Sequence, residues 1–172
     1  ELIAATPGKN DKTDMVKKFA VDPGFVSVIE HAYNPFKTFG ILAMPDRTMP
    51  GAGHFNDGTW RLLGDLIARQ LTGGAARDAV LEEINRLTED SAELFRRIIR
   101  KKLRAGFSES TCNKAVKKLI PEFPYQRCAL PKDTNLEEWP WADGVFVQEK
   151  ADGMFANVDH EIGGLVRITS RQ

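Results

Sequence analysis

Hydrophobic positions in the first 120 residues recur at spacings of three and four, with short breaks at Pro and Gly between the segments. That period places apolar side chains on one face of an α-helix and polar side chains on the other. The clearest stripe consists of Leu94, Phe95, Ile98, Ile99 and Leu103. The pattern predicts amphipathic helices over residues 14–20, 25–32, 59–71, 75–87, about 90–105 and 108–119.

Residue types at the ends of these segments indicate how the helices begin and end. Asn56 or Asp57 can accept hydrogen bonds from the first amides of the third helix, because a short polar side chain at that place satisfies donors that the helix leaves free. Gly106 is expected to end the fifth helix, and Ser108 to cap the sixth. Residues 34–58 are rich in Pro, Gly and Phe without periodicity, which predicts a long ordered loop.

The pattern changes after Pro124. A polar linker runs from residue 131 to 141, and β-prone segments separated by turns follow it: Val145–Val147, Met154–Val158 and Leu165–Ile168. The sequence therefore predicts two domains. An all-helical domain is expected over residues 1–127, and the first β-strands of an α+β domain over residues 128–172.

Composition narrows the class of protein. The chain is 42% hydrophobic and 28% charged, and no apolar run approaches the ~18 residues that a membrane span needs. Cys112 and Cys128 lack metal-ligand spacing and favour reduced thiols, with a disulfide between them as the alternative. The three His residues are scattered, so no metal site is predicted. We expect a cytoplasmic monomer without a membrane partner.

Charge is distributed unevenly although the formal net charge is zero. Residues 96–118 contain nine bases and one acid, whereas residues 133–161 contain eight acids and one base. The basic segment suits a polyanion and the acidic one suits a metal-dependent site. A solvated helix face beside an acidic loop would give the same counts.

The turn Arg104–Ser110 has the chemistry to hold a nucleic-acid backbone. Gly106 permits close approach, and the helix that begins at Ser108 offers free amides and the positive end of its dipole to a phosphate. Flanking Lys and Arg add charge, and contacts of this kind do not read base sequence. The competing interpretation is a plain helical hairpin in which Gly106 only ends a helix.

A short motif, Lys150-Ala151-Asp152-Gly153, stands at the end of the first β-prone segment. A lysine becomes a nucleophile when burial or nearby cations disfavour its charged form. Asp152 could orient groups around the amine, and Gly153 allows a sharp reversal into the next strand. An exposed hairpin turn would produce the same four residues.

Context strengthens the motif, because it lies between strand-like segments and Thr169-Ser170-Arg171 follows it. This arrangement resembles the covalent nucleotidyltransferases, which are DNA ligases, RNA ligases and capping enzymes. Upstream stretches resemble the DNA-binding domain of T-even bacteriophage DNA ligases in the same order. These stretches are Lys37–Met44, Leu71–Ala76, Arg96–Ile98, Asn113-Lys114 and Leu119–Glu122.

The resemblance implies an ATP-dependent DNA ligase that joins 3′-hydroxyl and 5′-phosphate ends at nicks in double-stranded DNA. Lys150 would attack the α-phosphate of ATP and form a covalent lysyl-AMP, with Mg²⁺ offsetting phosphate charge. Gln148 would contact adenine, and Arg171 the sugar or phosphate of the nucleotide. The protein would be located in the host cell cytoplasm if phage-encoded.

The resemblance also implies that the helical domain is a DNA-binding domain and that the later strands begin an adenylation (nucleotidyltransferase) domain. Nicked double-stranded DNA would then be the partner. The residues expected to bind it are Arg100, Lys101, Arg104, Gly106, Ser108, Ser110 and Lys114.

Two departures from the family pattern bear on activity. Phe155 stands where DNA ligases usually have Arg, and the chain ends before the later motifs, so we expect these 172 residues to be an inactive fragment on their own. An RNA ligase or capping-type nucleotidyltransferase shares the lysine motif and is one alternative. A DNA-binding module without catalysis is the other.

Overall fold

The computed structural model of the protein describes residues 2–122, 132, 134–145, 156–160, 164 and 166–170. Contacts divide the chain into two compact units, Glu1–Glu122 and Phe123–Gln172. The predicted domain boundary, between residues 127 and 128, falls outside the described residues and stays a prediction.

Helices account for all the regular structure in the described part of the first unit. They are α1 (Leu2–Ala5), α2 (Lys9–Phe19), α3 (Pro23–Tyr33), α4 (Asp57–Ile67), α5 (Gly73–Arg86), α6 (Glu89–Ile99) and α7 (Glu109–Ala115). The prediction of an all-helical fold is confirmed for this unit. Helix α1 was not predicted, because four residues are too few to show a period.

Helix α6 ends well before Gly106, which corrects the predicted end. Lys101 adopts a left-handed φ of 58°. The amide of Lys101 donates to the carbonyl of Ile98 and that of Lys102 to Arg97, each at 3.0 Å. This is a Schellman arrangement, in which a glycine normally takes the left-handed position. The chain after α6 is therefore an extended connection rather than more helix.

Helix α4 ends in the same way and also earlier than predicted. Arg69 has a φ of 59°, and the amide of Gln70 donates to the carbonyl of Asp65 at 2.9 Å. The sequence predicts that Gly73-Gly74 ends this helix, but Gly73 instead begins α5.

Asn56 rather than Asp57 is the N-cap of α4. Its side-chain oxygen accepts hydrogen bonds from the amides of Gly58, at 2.9 Å, and Thr59, at 3.2 Å. The hydroxyl of Thr59 in turn accepts from the amide of Asn56 at 3.2 Å. This reciprocal capping box satisfies donors that the first turn of a helix cannot pair internally.

The main apolar core is formed by α3, α4, α5 and α6. Burying a large apolar side chain stabilises the fold by about 1.5–3 kcal/mol. The ring of Phe95 is fully buried in this core, and its centroid lies 6.4 Å from that of the Phe55 ring. The other buried members are Ala32, Phe39, Leu63, Leu66, Ala76, Val80, Ile84, Leu87, Ala92, Ile98, Ile99 and Leu103.

A second core lies between α1, α2, α3 and α7. Its buried members are Ile3, Val16, Ile29, Cys112 and Ile120. Cys112 is a free thiol, and burial raises the pKa of this thiol to about 12. Helix α2 packs directly against α7 in this core.

Residues 34–56 have no helix or strand of their own, as predicted, and are held by hydrogen bonds to the end of α5. The side-chain oxygen of Asn85 accepts from the amide of Thr48 at 2.9 Å. A Cβ at Gly51 would lie 2.1 Å from the carbonyl oxygen of Arg86, so only glycine allows this approach. The loop is thus fixed to the helical core.

The described part of the second unit contains two 3-10 turns, Leu136–Glu138 and Trp141–Asp143, and an antiparallel hairpin. Strand β1 (Ala156–His160) pairs with β2 (Val166–Ser170). The hairpin overlaps two of the predicted β-prone segments. Most of the remaining predicted segment, Val145–Val147, lies outside the described residues. None of the described helices has the length and hydrophobicity required to cross a membrane.

We predict that Asn56→Ala lowers the free energy of unfolding by about 1–2 kcal/mol, because two amides at the start of α4 lose their acceptor. Urea unfolding followed by circular dichroism measures the change. Asn10→Ala is the matched control, since Asn10 is exposed within α2. Equal stabilities of the two variants would contradict the capping role.

Candidate nucleic-acid interface

The turn Arg104–Ser110 connects α6 to α7 and is largely exposed. Arg104 and Gly106 both have left-handed backbones, with φ of 53° and 73°. The φ of Gly106 favours glycine, and a Cβ there would lie 2.5 Å from Nζ of Lys12, so the lysine side chain would have to move. The turn therefore presents its backbone closely to whatever binds there.

Two side chains from other helices hold carbonyl groups of this turn. Lys12 of α2 donates from Nζ to the carbonyl of Gly106 at 3.0 Å. Tyr33, the last residue of α3, donates its hydroxyl to the carbonyl of Phe107 at 2.9 Å. The two rings also pack, with centroids 5.7 Å apart. Burial raises the pKa of Tyr33 well above its usual range, so the hydroxyl keeps the proton that it donates.

The amides of residues 106–110 donate to no acceptor within the described part of the chain. The next two amides, of Thr111 and Cys112, both donate to the carbonyl of Ser108, at 3.0 and 3.1 Å. Ser108 is the N-cap of α7, as predicted, but makes no side-chain cap bond. Its hydroxyl instead lies 3.0 Å from that of Ser110. Free amides and hydroxyls of this kind can bind an anionic oxygen.

The basic run of residues 96–118 separates into paired and exposed side chains. Arg96 lies 3.3 Å from Glu89, and Arg97 lies 2.8 Å from Glu93. Arg97 also donates to the carbonyl of Leu103 at 3.2 Å. The exposed bases make no ion pair among the described residues, and they are Arg100, Lys102, Arg104, Lys114, Lys117 and Lys118. These six are the cations available to a polyanion.

Lys101 is directed into the protein, unlike its neighbours. Its Nζ donates to the carbonyls of Asn34, His31, at 3.1 Å, and Lys37, at 3.0 Å. Burial, with a smaller contribution from the charge of Lys37, lowers the pKa of Lys101 to about 8. An ammonium group has three N–H donors, and here each has a carbonyl partner. The Lys101 side chain was predicted to contact DNA, but all three of its N–H donors are already used within the protein.

The lysines of α2 were not predicted to lie near this turn. Lys9 is exposed and lies three residues before Lys12, which places the two on one face of the helix. That face contacts the turn Arg104–Ser110, here called the Gly106 turn, through Lys12. A run of four bases among residues 9–18 was the available signal, but only packing shows that it adjoins residues almost a hundred positions later.

The predicted catalytic and nucleotide-binding residues Lys150, Gln148 and Arg171 lie outside the described residues, as does Phe155. Within the described ranges no group of three or more His, Cys, Asp or Glu side chains is placed to hold a metal ion.

Curated proteins similar to this chain include DNA ligases from Enterobacteria phages T4 and T6. Each is 33% identical to it over 111 residues, which are 62% of this chain and 22% of the ligase. The chain therefore spans about a fifth of the length of the curated relatives that it matches. No protein-family model matches the chain.

Solved structures give a concordant likeness. The structure named Pmar-Lig_PreS3 aligns with a TM-score of 0.62 and 31% identity, over 69% of this chain and 29% of that one. Pmar-Lig_Pre. aligns with a TM-score of 0.61 and 32% identity, over 67% and 28%.

We predict that Lys101→Met lowers the free energy of unfolding by about 1–3 kcal/mol, because three carbonyls lose a charged donor. Lys102→Met is the matched control, since its neighbouring side chain is exposed, and a surface change of this kind is usually within about 0.5 kcal/mol. Chemical denaturation of both variants measures the difference. If both lose stability equally, the carbonyl contacts do not support the fold.

Proposed function

We propose that this chain, which is homologous to part of the DNA ligases of phages T4 and T6, belongs to an ATP-dependent DNA ligase of phage type. The observation that carries the proposal is the agreement between two likenesses, 33% identity over 111 residues to phage DNA ligases and a TM-score of 0.62 to a solved structure. In this proposal the helical unit binds double-stranded nicked DNA. The later residues, including β1 and β2, begin the adenylation domain.

The geometry of the Gly106 turn supports the DNA-binding role. Unpaired amides, exposed hydroxyls and exposed cations lie within one short segment, which is the combination that phosphate oxygens require. The proposed direct contacts are Arg100, Arg104, Gly106, Ser108, Ser110 and Lys114. Lys101 has a supporting role in this scheme, since its donors are used inside the protein. Binding of this kind is independent of base sequence and sensitive to salt.

Lys150 is the proposed nucleophile of the ligase reaction. Its neutral amine would attack the α-phosphorus of ATP, so that a P–N bond forms and pyrophosphate leaves. Gln148 and Arg171 would hold the adenine and the sugar or phosphate of the nucleotide. AMP would next pass to the 5′-phosphate at a nick, and attack by the 3′-hydroxyl would form the phosphodiester and release AMP. Mg²⁺ would supply charge neutralisation on the phosphates.

The lysine motif and the relationship to DNA ligases support this assignment, and Phe155 is the feature that opposes it. If the missing Arg is essential, the protein would bind DNA without joining it. We therefore propose strand joining for the whole ligase, and DNA binding for the 172 residues on their own.

The double variant Arg104→Glu/Lys114→Glu tests the DNA interface. We expect the slope of log affinity against log salt to fall in magnitude by about 2, because each lost phosphate contact removes about 0.9. Fluorescence anisotropy with nicked duplex DNA over a range of salt concentrations measures it.

Arg61→Glu provides a single-charge control at an exposed position on a different helix, α4. A double variant that keeps the wild-type slope would remove the Gly106 turn from the interface. A wild-type chain without affinity for duplex DNA would overturn the DNA-binding role itself.

Lys150→Ala tests the nucleophile, in the protein translated from the complete reading frame that contains this chain. We expect the variant to lose acid-labile labelling by α-labelled ATP while retaining affinity for nicked DNA. Lys132→Ala, at an exposed lysine, should label normally. Labelling that survives in Lys150→Ala would exclude this residue, and labelling by GTP in place of ATP would indicate a capping-type enzyme.

A further inference from the structure

The carboxyl end of α3 supports the Gly106 turn from both sides. The carbonyls of His31 and Asn34 receive the Lys101 ammonium just before the turn begins. Tyr33, between them, donates its hydroxyl to Phe107 inside the turn. None of these groups was predicted from sequence to act on the turn, because the contacts join residues about 70 positions apart.

The hydrogen bonds from Tyr33 and Lys12 to carbonyls of the turn, called tethers below, also orient the amides that follow those carbonyls. In a trans peptide the C=O and the following N–H point in opposite directions, and the described residues contain no cis peptide. When Tyr33 holds the carbonyl of Phe107, the amide of Ser108 is directed away from Tyr33. When Lys12 holds the carbonyl of Gly106, the amide of Phe107 is directed away from Lys12.

We propose that Tyr33 and Lys12 are positioning residues for DNA binding, which fix the peptide planes at Gly106 and Phe107 so that the amides of Phe107 and Ser108 face a DNA phosphate. The inference rests on the proposed DNA-binding function and extends it to residues outside the basic run. Neither side chain needs to touch DNA. Without the tethers the turn would have to be ordered during binding, and that conformational cost would weaken the affinity.

Tyr33→Phe removes the hydroxyl while keeping the ring that packs against Phe107. We expect the dissociation constant of the 172-residue chain for nicked duplex DNA to rise about three- to tenfold, the worth of about one net hydrogen bond. The salt slope should stay unchanged, because no cationic side chain is removed. In amide NMR spectra, Phe107 and Ser108 should shift on adding DNA to the wild type and shift less in the variant.

Lys12 offers a second, independent comparison. Lys12→Met and Lys9→Met each remove one charge from the same face of α2, but only Lys12 donates to the turn. Lys12→Met should weaken binding about threefold or more beyond Lys9→Met. Lys12→Arg keeps a donor and should restore most of the affinity. Asn56→Ala serves as a stability control, since its effect is on α4 alone and should leave the affinity unchanged.

The outcomes separate the two proposals. If the wild type binds duplex DNA but Tyr33→Phe and Lys12→Met bind as tightly as their controls, the positioning role is overturned and the DNA-binding function stands. If affinity falls in proportion to stability in all variants, including Asn56→Ala, the tethers are only structural and the proposal again fails. If the wild type does not bind DNA, the proposed function itself fails.

Discussion

Lys101 completes the carboxyl ends of two helices at once, one with its backbone and the other with its ammonium group. As the left-handed residue after α6 it belongs to the Schellman end of that helix, and its Nζ binds carbonyls at and beyond the end of α3. A helix leaves its last carbonyls unpaired and partly negative, so a buried cation is favoured there. The left-handed backbone of a lysine costs about 1–2 kcal/mol. Three charged hydrogen bonds offset that cost and fix where the chain leaves α6.

That exit determines the shape of the candidate interface. Because α6 stops at Ile99, the following residues form a connection that crosses to α7 instead of continuing as helix. Arg104 and Gly106 then take left-handed conformations, and Lys12 and Tyr33 hold two successive carbonyls. The outcome is a short, fixed segment whose amides are free among the described residues and whose neighbours are exposed bases.

Adjacent basic residues consequently have different physical roles. Arg96 and Arg97 are balanced by glutamates on their own helix, Lys101 is satisfied by carbonyls, and Arg100 and Arg104 remain exposed. A cation that is already paired contributes little to attracting DNA, whereas an exposed one releases counterions when it meets a phosphate. The relationship to phage DNA ligases gives this division a functional context. The similarity covers about a fifth of the length of those proteins.

The sequence by itself located six of the seven described α-helices, because the period of apolar residues follows from the geometry of one helix face. It also located the cap at Asn56 to within one residue and the exposed turn at Gly106, since these depend on short-range backbone chemistry. The assignment of the motif around Lys150 to a nucleotidyltransferase rests on residue order alone and stays a prediction. Tertiary structure decided where α4 and α6 end, because Arg69 and Lys101 take the left-handed position that glycine normally fills at the end of a helix. It also decided that Lys101 faces inward and that α2 and α3 support the turn, since a donor's partner depends on which distant carbonyl packing brings within reach.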